Sequence, residues 1–183
     1  QDKDIDKSLP LILSVDWGVF TGAVISQDQP NIYKVLKSMW ATQSAECQDL
    51  EDLINDFSEY YAPLPNKQIN LYYGHDGNAK VLRGSNTTYG DELVRLLEVK
   101  GWTVYDRSKR KAVAPHNAKS ILINMMLKQS SSRFKAIAIN EHNNPDLIIG
   151  LERSEAGEDK NGIRKIKKDE GNSSMKQQHT THL

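Results

Sequence analysis

The chain has 183 residues, with 24 Lys and Arg against 24 Asp and Glu. That length suits one domain with a sizeable core, and zero net charge leaves only local patches to bias it toward a nucleic acid or a membrane. A single cysteine, Cys47, excludes an internal disulfide and fits a reducing compartment, and no apolar run reaches the roughly 20 residues of a membrane-spanning helix.

In chain order, residues Gln1 to Lys7 carry neither an initiator Met nor an apolar signal segment, and Leu183 follows no terminating signal. The expectation is a cytoplasmic piece of a longer protein. Leu11 to Val15 has the length and composition of a buried strand and ends at Asp16. Trp17, Gly18 and Val19 make a tight turn into a second strand, about Phe20 to Ser26, and Gly18 and Gly22 are read as turn glycines. After Gln27 to Asn31, Ile32 to Trp40 reads as a third strand. Strands joined by such short turns are antiparallel neighbours.

The period then changes. Leu50, Leu53, Ile54, Phe57 and Tyr61 recur at helical spacing, with Ser44 as the expected N-cap and Pro63 and Pro65 as the stop. Gln68 to Gly74 reads as a fourth strand running into His75, Asp76 and Gly77. Tyr89, Leu93, Leu96 and Leu97 mark a second helix closed near Gly101, and Trp102 to Tyr105 a short fifth strand. Ala118, Ile121, Leu122 and Met125 mark a third helix to about Lys128, with Met125 and Met126 as core filler. Phe134 to Asn140 is a further strand candidate, and Asn144-Pro145-Asp146 opens a last helix with Leu147, Ile148 and Leu151 as its stripe. From Ala156 to Gln178 the composition turns polar, and only Gly162 to Ile166 alternates like a strand.

Three antiparallel strands followed by alternating helix and strand imply an α/β mixed sheet with helices on both faces. That is the strand order of the ribonuclease H-like fold. The organisation expected is one nuclease-like domain over residues 1–183. Its core spans about 11–130, additions follow at about 131–155, and a polar, flexible tail occupies 156–183.

Two carboxylates stand at comparable places, Asp16 after the first strand and Asp76 after the fourth. In this fold those strands are neighbours, so the pair faces one another at one sheet end. Close carboxylates repel, and a proton or a cation between them relieves the repulsion. Hard oxygen donors favour Mg2+ or Mn2+, and two such ions about 4 Å apart activate water and stabilise the leaving oxygen of a phosphodiester. Asp16 and Asp76 are therefore the candidate catalytic residues and metal ligands. Gly74 and Gly77 beside Asp76 would permit close backbone approach. A basic run, Arg107, Lys109, Arg110 and Lys111, follows the fifth strand, with Lys119 further on. These are the candidate DNA-phosphate contacts. Lys160, Arg164, Lys165, Lys167 and Lys168 form a second, more weakly placed run.

Other chemistry has less support. The sequence has no P-loop, so no ATPase motor of that type, and Cys47 has no evident catalytic partner. The five histidines, His75, His116, His142, His179 and His182, lack zinc spacing.

Over nearly its whole length the pattern resembles the nuclease domain of a phage or prophage terminase large subunit. The residues that carry the resemblance are Leu13 to Gly22, the strand ending Tyr73-Gly74-His75-Asp76, and the tail from Gly162 to Leu183. The resemblance implies two-metal cleavage of double-stranded DNA during genome packaging. Asp16 and Asp76 would be the first two of three acidic ligands. It also implies an ATPase domain in the same full-length chain, portal and small terminase subunit as partners, no membrane, and the cytoplasm of a bacterial host. By the same resemblance His182 matches a late histidine, and the third ligand would lie just past Leu183. Glu155, Asp159, Asp169 and Glu170 are the alternatives within the chain.

Three other readings stand beside it. One is a nuclease like the Holliday-junction resolvases. Another is a member of the actin and sugar-kinase superfamily, whose phosphate turn Asp16, Gly18 and Gly22 fit loosely. The last is a non-catalytic DNA- or protein-binding domain on the same scaffold.

Overall fold

A computed structural model describes residues 3–17, 21–41, 49–81, 86–112, 114–129, 132–153, 156–159 and 162–165. A six-stranded sheet forms its centre, built from β1 (Leu11–Trp17), β2 (Thr21–Asp28), β3 (Ile32–Trp40), β4 (Gln68–Tyr73), β5 (Thr103–Asp106) and β6 (Ala136–Ile139). The order across the sheet is β5-β4-β1-β2-β3-β6. β1, β2 and β3 are antiparallel, β4 runs parallel to β1, β5 parallel to β4, and β6 parallel to β3. Without β6 this is the expected ribonuclease H-like order. β6 extends it at the β3 edge.

β1 was expected as a strand buried along its whole apolar run, but it alternates. Leu11, Leu13 and Val15 are buried, while Ile12, Ser14 and Asp16 are half-buried on the opposite face. The neighbours obey the same two-residue period, with Ile69, Leu71 and Tyr73 of β4 and Ala23 and Ile25 of β2 on the buried side. That side is covered by α1 (Leu50–Tyr60) and α2 (Tyr89–Val99), which add Leu53, Ile54, Phe57, Leu93, Leu96 and Leu97 to one apolar cluster closed by Tyr61 and Trp102. Burying each such side chain contributes about 1.5–3 kcal/mol.

The helix ends follow from local chemistry. α1 is capped by Asp49, whose carboxylate accepts from Asp52 N at 3.0 Å; the expected cap, Ser44, and Cys47 lie outside the described residues. Thr88 and Asp91 form a reciprocal capping box on α2, and Gly101, at φ 85°, ends the segment where a side chain would be strained.

Two expectations fail. α3 (His116–Leu127) forms, but Ile121, Leu122, Ile123 and Leu127 are exposed and Met125 and Met126 only half-buried, so it adds nothing to the apolar cluster. Its apolar residues are spread around the axis rather than gathered in a stripe. Gly22 is no turn residue: it sits inside β2, opposite Asp16 on one side and Trp40 on the other. Gly18 lies outside the described residues. α4 (Pro145–Arg153) begins as expected, and a separate antiparallel hairpin pairs the expected β8 (Gly162–Lys165) with an unexpected β7 (Ala156–Asp159). Among the described residues no helix is long and apolar enough to cross a membrane.

Candidate active site

Asp16 is placed by the pleat of β1. Its side chain leaves the sheet on the face opposite the apolar cluster, at the C-terminal end of the parallel β1–β4 pair, where Val15 sits opposite Tyr73. The next position on β4 is Gly74. A Cβ there would lie 3.8 Å from Asp16 Oδ1, so the carboxylate reaches across to the end of the neighbouring strand. Asp76 follows two residues later in a 3-10 turn, His75–Asn78, rather than on the strand itself. Its side chain is 49% exposed, with His75 Nε2 3.0 Å from Oδ1. The two candidate carboxylates thus belong to adjacent segments on either side of Gly74, and β1 packs against the turn.

The turn is fixed from three directions. Gly77 N donates to Gly74 O at 3.2 Å, and the ring of Tyr73 and the indole of Trp17 fill the space a Gly77 Cβ would need. Ala79 O accepts from Tyr89 N at 3.0 Å, tying the turn to the start of α2. Asn78 Oδ1 accepts from Arg110 N at 3.2 Å, tying it to the basic loop. Gly77 therefore matters for a reason other than backbone freedom: it lets the Asp76 turn lie directly on two aromatic rings, which meet edge-to-face with centroids 5.6 Å apart. Gly90, in the first turn of α2, yields to the other end of the same Tyr73 ring.

Tyr73 also carries a hydrogen bond that the sequence did not suggest. Its hydroxyl donates to Asp106 Oδ2 at 2.7 Å, and Asp106 Oδ1 accepts from Ser108 N and Lys109 N at 3.0 and 2.9 Å. Ser108 Oγ in turn accepts from Tyr73 N at 2.9 Å. Burial, then the hydrogen bond and charge of Asp106, push the Tyr73 phenol far above its usual range, so it stays a donor. An Asp followed two residues later by Ser, just past a strand, is the local signature of this side-chain turn.

The basic residues divide. Arg107 donates from Nε to Asn70 Oδ1 at 2.9 Å, and its guanidinium lies 5.5 Å from the Tyr105 ring centroid. Lys109 is committed to an ion pair with Asp91 at 2.8 Å. That contact, with the Thr88 backbone and hydroxyl bonds, holds the Asp91 carboxyl down to about 2. Arg110, at φ 56°, and Lys111 are exposed on the loop beside the Asp76 turn. Lys119 is exposed on α3, and no bond among the described residues ties it to the turn. Of the second basic run, Lys160, Lys167 and Lys168 lie outside the described residues, and β8 gives only backbone for Arg164 and Lys165.

Carboxylate oxygens such as those of Asp16 and Asp76 suit a hard divalent cation. Among the described residues, however, no group of three or more His, Cys, Asp or Glu is gathered to hold one. Asp106 and Asp91, the other carboxylates of this end, are occupied by the partners just named. Of the alternatives for a third ligand, Glu155, Asp169 and Glu170 lie outside the described residues, as does His182, and Asp159 is described by its backbone in β7.

No protein-family model matches the sequence, and no curated protein matches it. Solved structures do. The large terminase of the thermophilic bacteriophage D6E superimposes with a TM-score of 0.58 at 12% identity over 90% of this chain and 37% of that one. A second crystal form of it gives 0.56 at 11% identity. The P22 large terminase nuclease domain gives 0.54 at 14% identity, over 92% of this chain and 78% of that one. The chain has a terminase nuclease-like fold and spans about 37% of the length of the D6E protein.

Proposed function

We propose that this chain is a metal-dependent endonuclease domain that cuts double-stranded DNA during phage genome packaging, as part of a terminase large subunit. The observation that carries the reading is the arrangement about Gly74. Asp16 reaches to it from β1, Asp76 follows it on a turn held by Tyr73 and Trp17, and the basic loop is hydrogen-bonded to that same turn. The fold shared with the P22 large terminase nuclease domain supports it.

Asp16 and Asp76 would hold Mg2+ or Mn2+, which when bound supplies an activated water and charge neutralisation at the leaving oxygen. A third oxygen donor would have to join them, since no third such group is gathered with them among the described residues. Asp16 on a strand and Asp76 on a braced turn hold their carboxylates at fixed positions, which limits reorganisation on binding. Arg107, Arg110 and Lys111 have no carboxylate partner among the described residues and would bind backbone phosphates. Lys109 contributes less, since Asp91 already neutralises it. The ATPase domain, portal and small subunit are the partners this reading implies, and the host cytoplasm is where it would act.

The test is nicking of supercoiled plasmid with Mn2+ by a chain that carries the expected third ligand past Leu183. Asp16→Asn and Asp76→Asn should each reduce the rate at least about 100-fold without altering the circular dichroism spectrum. Full activity in either variant would remove that residue from the site. The absence of a carboxylate trio among the described residues favours a second reading, a DNA-binding domain without catalysis. Metal-independent DNA binding by a chain that carries the expected third ligand and fails to nick plasmid with any divalent ion would select it. Preferential cutting of a four-way junction over linear duplex would instead point to a resolvase-like nuclease.

A further inference from the structure

β4 and β5 carry two tyrosines on the face opposite the apolar cluster, Tyr72 at 43% and Tyr105 at 42% exposure. Their placement is set by the register. Asn70 pairs with Tyr105 and Ser14 with Tyr72, so Tyr105, Asn70, Tyr72, Ser14 and Asp16 all leave the sheet on one side. Tyr72 and Tyr105 are diagonal neighbours, about 8 Å apart from the strand spacing and rise, and Tyr72 stands a similar diagonal step from Asp16. Arg107 lies over this face as well, bonded to Asn70 with its guanidinium 5.5 Å from the Tyr105 ring centroid. No carboxylate among the described residues pairs with it.

We propose that this face is a stacking platform for an unpaired DNA strand, with Tyr72 and Tyr105 each taking a base and Arg107 a phosphate. Its direction, toward Asp16, rests on the nuclease reading; its chemistry does not. The occupant follows from the residue types. Two aromatic side chains about 8 Å apart, with a guanidinium that no carboxylate among the described residues pairs with and the Arg110–Lys111 loop beside them, match a polyanion whose bases are free to stack. A paired duplex presents its phosphates but keeps its bases stacked on one another, so it would use the basic loop and leave the tyrosines idle. The platform would receive the strand where duplex ends fray or are opened beside the cutting site.

The experiment measures fluorescence anisotropy of the 183-residue chain, in EDTA, with labelled oligo-dT and with a blunt duplex of equal length. Tyr72→Ala and Tyr105→Ala should each weaken oligo-dT binding about 5- to 100-fold and duplex binding less than about 3-fold, while the Phe variants bind like wild type. Arg107→Ala should weaken both and lower the salt slope by about one. No oligo-dT binding, Tyr-independent binding, or equal loss on duplex would each overturn the platform. So would Tyr72-dependent self-association in sedimentation without DNA, which would assign the face to a second copy of the chain. Plasmid nicking with Mn2+, run in parallel, separates the two readings. Nicking with Tyr-independent strand binding overturns the platform alone. Tyr-dependent strand binding by a chain that carries the expected third ligand and still does not nick overturns the nuclease reading alone.

Discussion

Tyr72 and Tyr73 are neighbours in sequence and opposites in role, and they stand for the two faces of the β5-β4-β1 half of the sheet. Tyr73 is 8% exposed and lies on the core side, with its ring against Trp17 and its hydroxyl on Asp106. Tyr72 points to solvent beside Ser14 and Asp16. One face holds the sheet to α1 and α2; the other carries the polar side chains that could meet a substrate. The same strands serve both because consecutive side chains alternate. Stability and chemistry can therefore be perturbed separately, except at the turn beyond β4, where Tyr73 supports the segment that bears Asp76.

Substitutions on the core face should cost the most. Leu71→Ala leaves a cavity between the sheet and the helices and should destabilise by about 2–5 kcal/mol in urea unfolding. Tyr72→Ala, one residue away, should cost less than about 1 kcal/mol. Equal losses would mean that the two faces are not separated as described.

Gly77→Ala tests where the faces meet. The added methyl would run into the Tyr73 ring and come within 2.7 Å of Trp17 as the side chains now stand. Overpacking there should cost about 1–3 kcal/mol, and displacement of the Asp76 turn should slow nicking more than Leu71→Ala does at equal residual stability. Unchanged stability and activity would show that the turn does not rest on those rings.

A finer contrast comes from removing one hydroxyl at a time. Tyr73→Phe loses the bond to Asp106 and should cost about 1 kcal/mol, whereas Tyr72→Phe should be neutral within about 0.5 kcal/mol. Thermal melts of both variants at pH 7 decide it.

The smallest effect expected concerns the Lys109–Asp91 pair on the basic loop. Asp91 is held down to about 2, first by the Lys109 hydrogen bond. A carboxyl lowered in the folded state stabilises above its unfolded value, and that contribution disappears as pH falls through the folded one. Lys109→Met should therefore be slightly less stable than wild type at pH 7, and the gap should close between about pH 4 and pH 2. Both groups are partly solvated, which keeps the gap small. A gap undiminished at pH 2 would have another origin.

Much of this architecture could be read from periodicity. The two-residue and 3.6-residue patterns of β1, β4, α1 and α2 are local, and turn lengths forced the first three strands to be antiparallel; the place of β4 beside β1 came from likeness to the ribonuclease H-like strand order. Where local signals compete, the reading was weaker. Ser44 and Asp49 are both capable N-caps before Leu50, and Asp49 takes the role by bonding Asp52 N. α3 has helix-forming residues without a single apolar stripe, so its existence could be read but not its exposure.

For the candidate site, the sequence by itself named two carboxylates at the ends of strands and a basic loop as candidates. Only tertiary structure decided the rest. It separated Lys109, spent on Asp91, from Arg107, Arg110 and Lys111. It gave Asp106 to Tyr73 rather than to a cation, and made Gly77 a seat for two aromatic rings. It also put Tyr72 and Tyr105 on the face of Asp16. The reason is physical: the kind of each element and its order along the chain follow from local periodicity, whereas the partner of a charged or aromatic side chain is set by contacts between segments far apart in sequence, 18 residues for Lys109–Asp91 and 33 for Tyr73–Asp106, which no local pattern encodes.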